Sequence, residues 1–196
     1  MPAYHVEDVG HMLADDNALA KTRKIANIPL LYIRGYYLSA EPYNEINTGE
    51  DIVDEALKSF RSNIFFRNFA SKGLADNLLM YCTWFISTCL TIIKPQHAKR
   101  HANRALNNLL DPNFPIPGDP DFPDNTVFNA KPNEPEAGEL RKYLGCVKEA
   151  MIARLLEMVY TDPDGNEMPG PSKWWMSYSK RKFLGKGFNV HPEMAM

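Results

Sequence analysis

Cysteine and histidine are the residues in this chain whose chemistry could support catalysis or metal binding. Cys82 and Cys89 lie seven positions apart in a strongly apolar stretch, so both face the same side of a predicted helix. Burial in apolar surroundings raises the pKa of a thiol and lowers its reactivity, so we interpret both as small core residues. Cys146 flanks the apolar stripe of another predicted helix and is interpreted in the same way. Three cysteines are also too few, and odd in number, for a disulfide framework.

His97 and His101 are four positions apart on a predicted helix and could share a metal ion. A zinc site needs at least a third ligand, and Lys99 and Arg100 between the two histidines would repel a cation. We therefore expect solvated surface histidines and no metal. The sequence also has no glycine-rich phosphate loop and no nucleophile elbow, so it predicts no cofactor and no enzymatic activity.

Composition places the chain among soluble globular proteins. It has 196 residues, of which 44% are hydrophobic and 23% charged, and its formal net charge is −2. This balance does not indicate a nucleic-acid-binding protein as a whole. The longest uncharged stretch, residues 77–93, is too short and too polar for a membrane span. Residues 1–20 carry four acidic side chains and no apolar run, so we expect no signal peptide and a location in the cytosol or the nucleus.

Hydrophobic periodicity predicts an all-α fold in a single domain. The stretch 74–93 is apolar around most of its circumference, which is typical of a helix buried on all sides. We therefore expect it to be a central helix surrounded by the others. The remaining predictions are helices at 51–69, 96–110, 134–160 and 172–184, an extended run at 28–38 and a Pro-rich loop at 111–124. The domain 1–196 divides into an extended N-terminal segment (1–50), a helical body (51–184) and a tail (185–196).

The predicted C-terminal helix combines basic and aromatic residues, with no acidic residue between Gly170 and Pro192. Tryptophan and arginine dominate the energetics of protein interfaces. Adjacent residues point about 100° apart on a helix, so one of the two tryptophans can face inward and the other a partner. The Pro-rich loop interleaves prolines with apolar side chains and should be pinned to a surface, either its own core or a neighbour. The candidate partner contacts are Lys173, Trp174, Trp175, Lys180, Arg181, Lys182, Phe114, Pro115, Ile116, Pro117 and Phe122.

Several strings of the sequence resemble one protein family. They are MPAYH at 1–5, DIVDEALKSFRSNIFFRNF at 51–69, NFPIPGDPDFP at 113–123, NAKP at 129–132, PSKWW at 171–175 and KRKF at 180–183. These strings resemble subunit 3, the p21 subunit, of the actin-related protein 2/3 complex, which nucleates branched actin filaments. The resemblance runs over most of the chain in the family's order.

The resemblance implies an α-helical, non-catalytic structural subunit without a cofactor. It implies partners among the other subunits of the complex, chiefly actin-related protein 3, together with actin filaments. It also implies a place in the cytoplasm and cytoskeleton, at actin-rich structures and cell projections. Because actin-like surfaces are generally acidic, Lys180, Arg181 and Lys182 are expected to complement them.

Two other functions remain open from the residues alone. A basic aromatic helix at the C-terminus could bind calmodulin or an acidic membrane surface as a stand-alone interaction module. An enzyme could use Cys146 or one of the histidines, although nothing in the sequence places them together.

Overall fold

A computed structural model describes residues 22–36, 49–67, 71, 73–128 and 131–189. The described part is mostly helical and carries one two-stranded sheet. Its strands are β1 (Lys24–Ile25) and β2 (Ile28–Pro29), and its helices are α1 (Ile52–Asn63), α2 (Leu74–Ile92), α3 (Lys99–Asn107), α4 (Asn125–Phe128), α5 (Glu134–Val159) and α6 (Lys173–Met176). There are also two 3₁₀ turns, one at Asn108–Leu110 directly after α3 and one at Phe183–Gly185 after α6.

Helix α2 carries the apolar centre of the molecule. Fifteen of its nineteen residues are buried. Helices α1, α3 and α5 pack against it, as do β2 and the 3₁₀ turn near the C-terminus. The apolar side chains of α2 thereby join those of α1 and α5 in one hydrophobic cluster.

Helix α1 begins where its sequence indicates, at an aspartate cap. The Asp51 carboxylate accepts hydrogen bonds from the backbone N–H groups of Val53 and Asp54 at 3.0 and 3.1 Å. Burial by itself would raise the pKa of Asp51, but hydrogen bonds from Arg154 on α5 and from the backbone of Arg34 outweigh it and lower that pKa. The Arg154–Asp51 ion pair, at 2.6 Å, ties α1 to α5.

The predicted length of α1 was wrong at its C-terminal end. The helix stops at Asn63, because the N–H of Phe66 bonds to the Asn63 carbonyl in a tighter turn. Phe65 is thereby left 53% exposed. Residues 68 and 69 of the predicted helix lie outside the described residues.

The extended run predicted at 28–38 was wrong from the turn at Arg34–Gly35 onward. Only Ile28–Pro29 pairs as a strand, with Lys24–Ile25, across a turn in which Ala26 and Asn27 both have positive φ. That geometry suits a tight hairpin. A second reversal at Gly35, whose φ is +93°, brings Tyr36 back to Ile33 and ends the extended course. Residues 37 and 38 lie outside the described residues.

The Pro-rich loop is pinned to the chain's own core. Phe122 stacks on Tyr81 of α2, and Phe114 lies under the ammonium of Lys148 at 3.3 Å from the ring centroid. The same ammonium donates to the Leu109 carbonyl at 3.2 Å, and its burial lowers its pKa to about 7. Arg141 of α5 holds the loop through an ion pair with Asp119 at 3.0 Å.

Helix α5 begins at the predicted cap. The side chain of Asn133 accepts from the N–H of Glu136, and the Glu136 carboxylate accepts from the N–H of Asn133 in return. This reciprocal pair is a capping box. The third helix is shorter than the predicted 96–110, since its α-helical part covers Lys99–Asn107 and the 3₁₀ turn completes it.

The C-terminal helix predicted at 172–184 was wrong. Within that range only Lys173–Met176 is α-helical, and a 3₁₀ turn begins at Phe183. The hydroxyls of Ser177 and Ser179 donate to the carbonyls of Trp174 and Met176 at 2.7 and 2.8 Å, which competes with further helical turns. After Met176 the chain continues in turns along α2.

Candidate partner interface

The surface with the strongest interaction features is formed by the C-terminal segment, residues 172–189. Side chains of α2 hold its backbone through three hydrogen bonds. Ser87 donates to the Arg181 carbonyl at 2.6 Å, and Thr91 donates to the Ser179 carbonyl at 3.1 Å. The indole of Trp84 donates to the Phe183 carbonyl at 3.3 Å. These contacts turn the carbonyls inward and leave the basic side chains of 180–182 exposed.

The two adjacent tryptophans separate as the 100° rotation predicts. Trp175 is 7% exposed and stacks on Phe60 of α1, with ring centroids 6.0 Å apart. Trp174 is 75% exposed. Leaving so large an apolar side chain in water is unfavourable in free energy. Exposed tryptophans are enriched at sites where partner proteins bind.

An aromatic cluster supports the exposed residues from below. Tyr178 meets the rings of Phe60 and Phe65 edge-on at 6.1 and 5.9 Å. The guanidinium of Arg181 lies over the Phe65 ring at 4.9 Å from its centroid. These ring and cation–π contacts fix the positions of the Phe65 and Arg181 side chains on the surface.

The exposed residues of the C-terminal segment and of the adjoining end of α1 form a surface that we call the cationic face. It consists of two exposed aromatic residues and six exposed basic residues. They are Phe65, Trp174, Arg61, Arg67, Lys173, Lys180, Arg181 and Lys182. Within the described ranges, no carboxylate lies within ion-pairing distance of these six cations. The face is therefore complementary to an acidic surface that presents an apolar group.

Two grooves flank the aromatic cluster. One has a volume of about 800 Å³ and lies between Trp174 and Met158 of α5, with Pro169 and Pro171 in its wall. The other has a volume of about 560 Å³ and is lined by Phe65, Arg67 and residues 180–182. The first is mainly apolar and has three charged residues in its lining, Arg61, Asp162 and Lys173. The second has four basic residues and no acidic residue in its lining.

The Pro-rich loop contributes little free surface to a partner. Phe114, Ile116, Pro117 and Phe122 are buried in the chain's own core, and Pro115 is half-buried. Trp175 is buried as well. Of the predicted contact residues, the exposed ones are Lys173, Trp174, Lys180, Arg181 and Lys182.

Sequence reasoning missed Arg61, Phe65 and Arg67 of the cationic face, and Met158 in the groove beside it. Phe65 and Arg67 lie within the helix predicted at 51–69, and the helical periodicity gave no reason to expect them at a partner surface. Met158 was assigned to the apolar stripe of α5, yet it is 38% exposed beside Trp174. The break after Asn63 has no strong sequence signal.

The three cysteines lie in surroundings that disfavour the reactive thiolate. Burial raises the pKa values of Cys82 and Cys89 far above their usual range. Burial and the neighbouring Glu149 raise the pKa of Cys146. Among the residues that the structure describes, no group of three or more potential ligands could hold a metal ion.

The structure lacks the basic aromatic helix on which the calmodulin and membrane alternative was based. Within the C-terminal segment, the α-helix is the single turn Lys173–Met176. None of the helices in the described ranges combines the length and apolar character needed to cross a bilayer.

Comparison with known proteins decides the family. A family model described as P21-Arc, the ARP2/3 complex ARPC3 (21 kDa) subunit, matches residues 1–188. The chain belongs to the P21-Arc family. The resemblance inferred from the sequence strings is thereby confirmed.

Curated relatives of the P21-Arc chain come from distant organisms. Actin-related protein 2/3 complex subunit 3 of Schizosaccharomyces pombe is 42% identical over 95% of this chain and 99% of its own length. The subunit of the same name from Saccharomyces cerevisiae is 35% identical, with 95% and 99% covered. The probable subunit 3 of Caenorhabditis elegans is 34% identical, with 95% and 96% covered.

Proposed function

We propose that this chain is a non-catalytic structural subunit of an actin-related protein 2/3 complex that nucleates branched actin filaments. The match to the P21-Arc family over residues 1–188 carries the proposal. The chain would supply binding energy and geometry to the assembly, without bond chemistry. Its place would be the cytoplasm and the actin cytoskeleton, at actin-rich structures and cell projections.

The cationic face is our proposed contact with an actin-related subunit, chiefly actin-related protein 3. Trp174 would insert into an apolar pocket of the partner, where full burial of a large aromatic side chain contributes most to affinity. Lys173 and residues 180–182 would surround it and meet acidic residues. Such peripheral charges accelerate and orient association more than they add affinity.

The single structural observation that supports this choice of face is the exposure of Trp174. It is 75% exposed, while its neighbour Trp175 is 7% exposed and fixed to α1. The exposed ring therefore sits on a rigid base, and little conformational freedom would be lost on binding.

Charge reversal tests the proposal. We expect Lys180→Glu, Arg181→Glu and Lys182→Glu together to reduce co-purification of this subunit with the complex and the density of filament branches. The three side chains are exposed and bear no ion pair within the described ranges, so the helical content should stay unchanged.

A matched control carries Lys24→Glu, Arg104→Glu and Lys142→Glu, which reverse three exposed cations away from the cationic face. It should assemble and branch like the native subunit. If the 180–182 variant co-purifies and branches normally, or if the control is equally impaired, the cationic face is not the contact. Circular dichroism of both variants checks the fold.

A further inference from the structure

The smaller of the two grooves beside the aromatic cluster has the features of a binding site for a phosphorylated ligand. Its lining contains four cations and no carboxylate, and we call it the basic groove. The cations are Arg67, Lys180, Arg181 and Lys182. Its volume of about 560 Å³ lies within the range of small-molecule sites, roughly 300–1,000 Å³.

The four cations of the basic groove are available to a ligand. All four residues are exposed, and within the described ranges none lies within ion-pairing distance of a carboxylate. They come from two parts of the chain, since Arg67 follows α1 and the others belong to the C-terminal segment. Like charges around one groove repel one another, and an anion seated among them would offset this repulsion.

Contacts within the chain fix one wall of the basic groove. The guanidinium of Arg181 lies over the Phe65 ring at 4.9 Å from its centroid. The Arg181 carbonyl accepts from the Ser87 hydroxyl of α2 at 2.6 Å, and the Lys182 carbonyl accepts from the Gly185 N–H at 3.2 Å. Because these backbone acceptors are engaged within the chain, the wall offers mainly the charged N–H donors of its side chains.

We propose that the basic groove binds a soluble small molecule that carries several phosphate monoesters, of the class of the inositol polyphosphates. A phosphate monoester carries about −1.5 to −2 charges at pH 7 and three strong acceptor oxygens, and arginine can bind it through two parallel hydrogen bonds. A protein carboxylate carries a single charge, so four acidic side chains would have to enter the groove to balance its four cations. One polyphosphorylated ring brings that charge in a single molecule.

Occupancy of the basic groove would also affect the rest of the cationic face. A bound polyphosphate would cover Lys180, Arg181 and Lys182, and so would compete with an acidic partner. This consequence rests on the proposed function, whereas binding of the ligand to the free subunit does not.

Isothermal titration calorimetry of the full chain with inositol hexakisphosphate tests the proposal. We expect one molecule to bind per chain, with an affinity that falls as the salt concentration rises, because exposed charges are screened. A glutamate decapeptide, whose charges lie on separate side chains, should bind at least about tenfold more weakly. Absence of binding by inositol hexakisphosphate would overturn the proposal. Equal binding of the peptide would also overturn it, but would leave the proposed contact with an acidic partner intact.

A lipid headgroup is a second source of clustered phosphates. Vesicles that contain phosphatidylinositol 4,5-bisphosphate present such headgroups, and sedimentation measures whether the chain binds them. If the chain binds these vesicles and does not bind soluble inositol hexakisphosphate, the groove is a membrane contact and the proposal fails.

Substitutions in the chain locate the ligand. Arg67→Gln with Lys182→Gln removes one cation of the basic groove from each part of the chain and should weaken binding by about tenfold or more. Arg61→Gln with Lys173→Gln is the matched control, because both are exposed cations of the cationic face that line the other groove. The control should weaken binding by less than about threefold, since charges outside direct contact are largely screened. Equal losses in the two variants, or native affinity in the first, would overturn the proposal, and circular dichroism checks the fold of both.

Discussion

At the scale of single residues, the neighbours Trp174 and Trp175 differ in burial. Trp175 is part of the core and stacks on Phe60, while Trp174 leaves a large aromatic ring in solvent. A buried tryptophan stabilises the fold, and an exposed one on a rigid base is available to a partner.

Truncation of each tryptophan should therefore separate stability from assembly. Trp175→Ala should lower the free energy of unfolding by about 3–5 kcal/mol, because it removes a large buried side chain. Trp174→Ala should change it by less than about 0.5 kcal/mol and should weaken association with the complex. Chemical denaturation and co-purification measure the two effects. A large loss of stability for Trp174→Ala would contradict the account of its exposure.

Glu55 of α1 is a residue whose burial works against the fold at neutral pH. Its carboxyl oxygen Oε2 is buried without a hydrogen-bond partner, and burial, Asp76 and Glu50 raise its pKa from 4.5 to about 7. The folded state therefore favours the protonated form. Its destabilising effect is small below pH 4.5, grows as the pH rises from 4.5 to about 7, and is complete above that range.

Glu55→Gln should remove this effect. We expect the variant to gain stability of the order of 1 kcal/mol at pH 8 and close to none at pH 4, measured by thermal denaturation across that range. Glu167→Gln, at an exposed carboxylate, is the control and should show no such pH dependence. An equal gain for Glu55→Gln at both pH values would disprove the role of ionisation.

At the scale of elements, the C-terminal segment depends on α2 for its course. Ser87, Thr91 and Trp84 lie on one face of α2 and each donates to a backbone carbonyl of the segment. These side chains replace the hydrogen bonds that a continuous helix would have made within itself. The position of the cationic face is thus set by a different element of the chain.

Loss of two of these donors should loosen the segment locally. Ser87→Ala with Thr91→Val should cost about 1–3 kcal/mol and accelerate amide hydrogen exchange in residues 177–185. Thr83→Val is a matched control, because the Thr83 hydroxyl donates to Leu79 within α2 and does not touch the segment. Exchange in 177–185 that does not differ between the variants would show that α2 does not hold the segment.

Elements with strong local signals could be predicted from the sequence, and elements set by distant contacts could not. The caps Asp51 and Asn133 and the apolar stretch of α2 predict the starts of α1 and α5 and the burial of α2. The C-terminal segment has a helical composition, but serine hydroxyls and α2 donors override it. Likewise, the 100° rotation predicts that the two tryptophans face different ways. Packing decides that Trp174 is the exposed one and that Phe65 and Met158 lie near it.

At the scale of the whole molecule, one hydrophobic cluster supports the cationic face. The cluster unites side chains from the hairpin, the helices, the Pro-rich loop and the C-terminal segment. Because the cationic face rests on that cluster through Trp175, Tyr178 and Phe183, it is presented as a rigid surface. Such a surface suits a subunit that fixes the relative positions of its neighbours.

The most direct test of this account is oxidative footprinting of Trp174 in the free subunit and in the assembled complex. Hydroxyl radicals label exposed tryptophans, and mass spectrometry resolves Trp174 from its buried neighbour. We predict rapid oxidation of Trp174 in the free subunit and strong protection in the complex, with Trp175 slow in both. Equal oxidation of Trp174 in the two states would contradict the claim that the cationic face is buried against a partner.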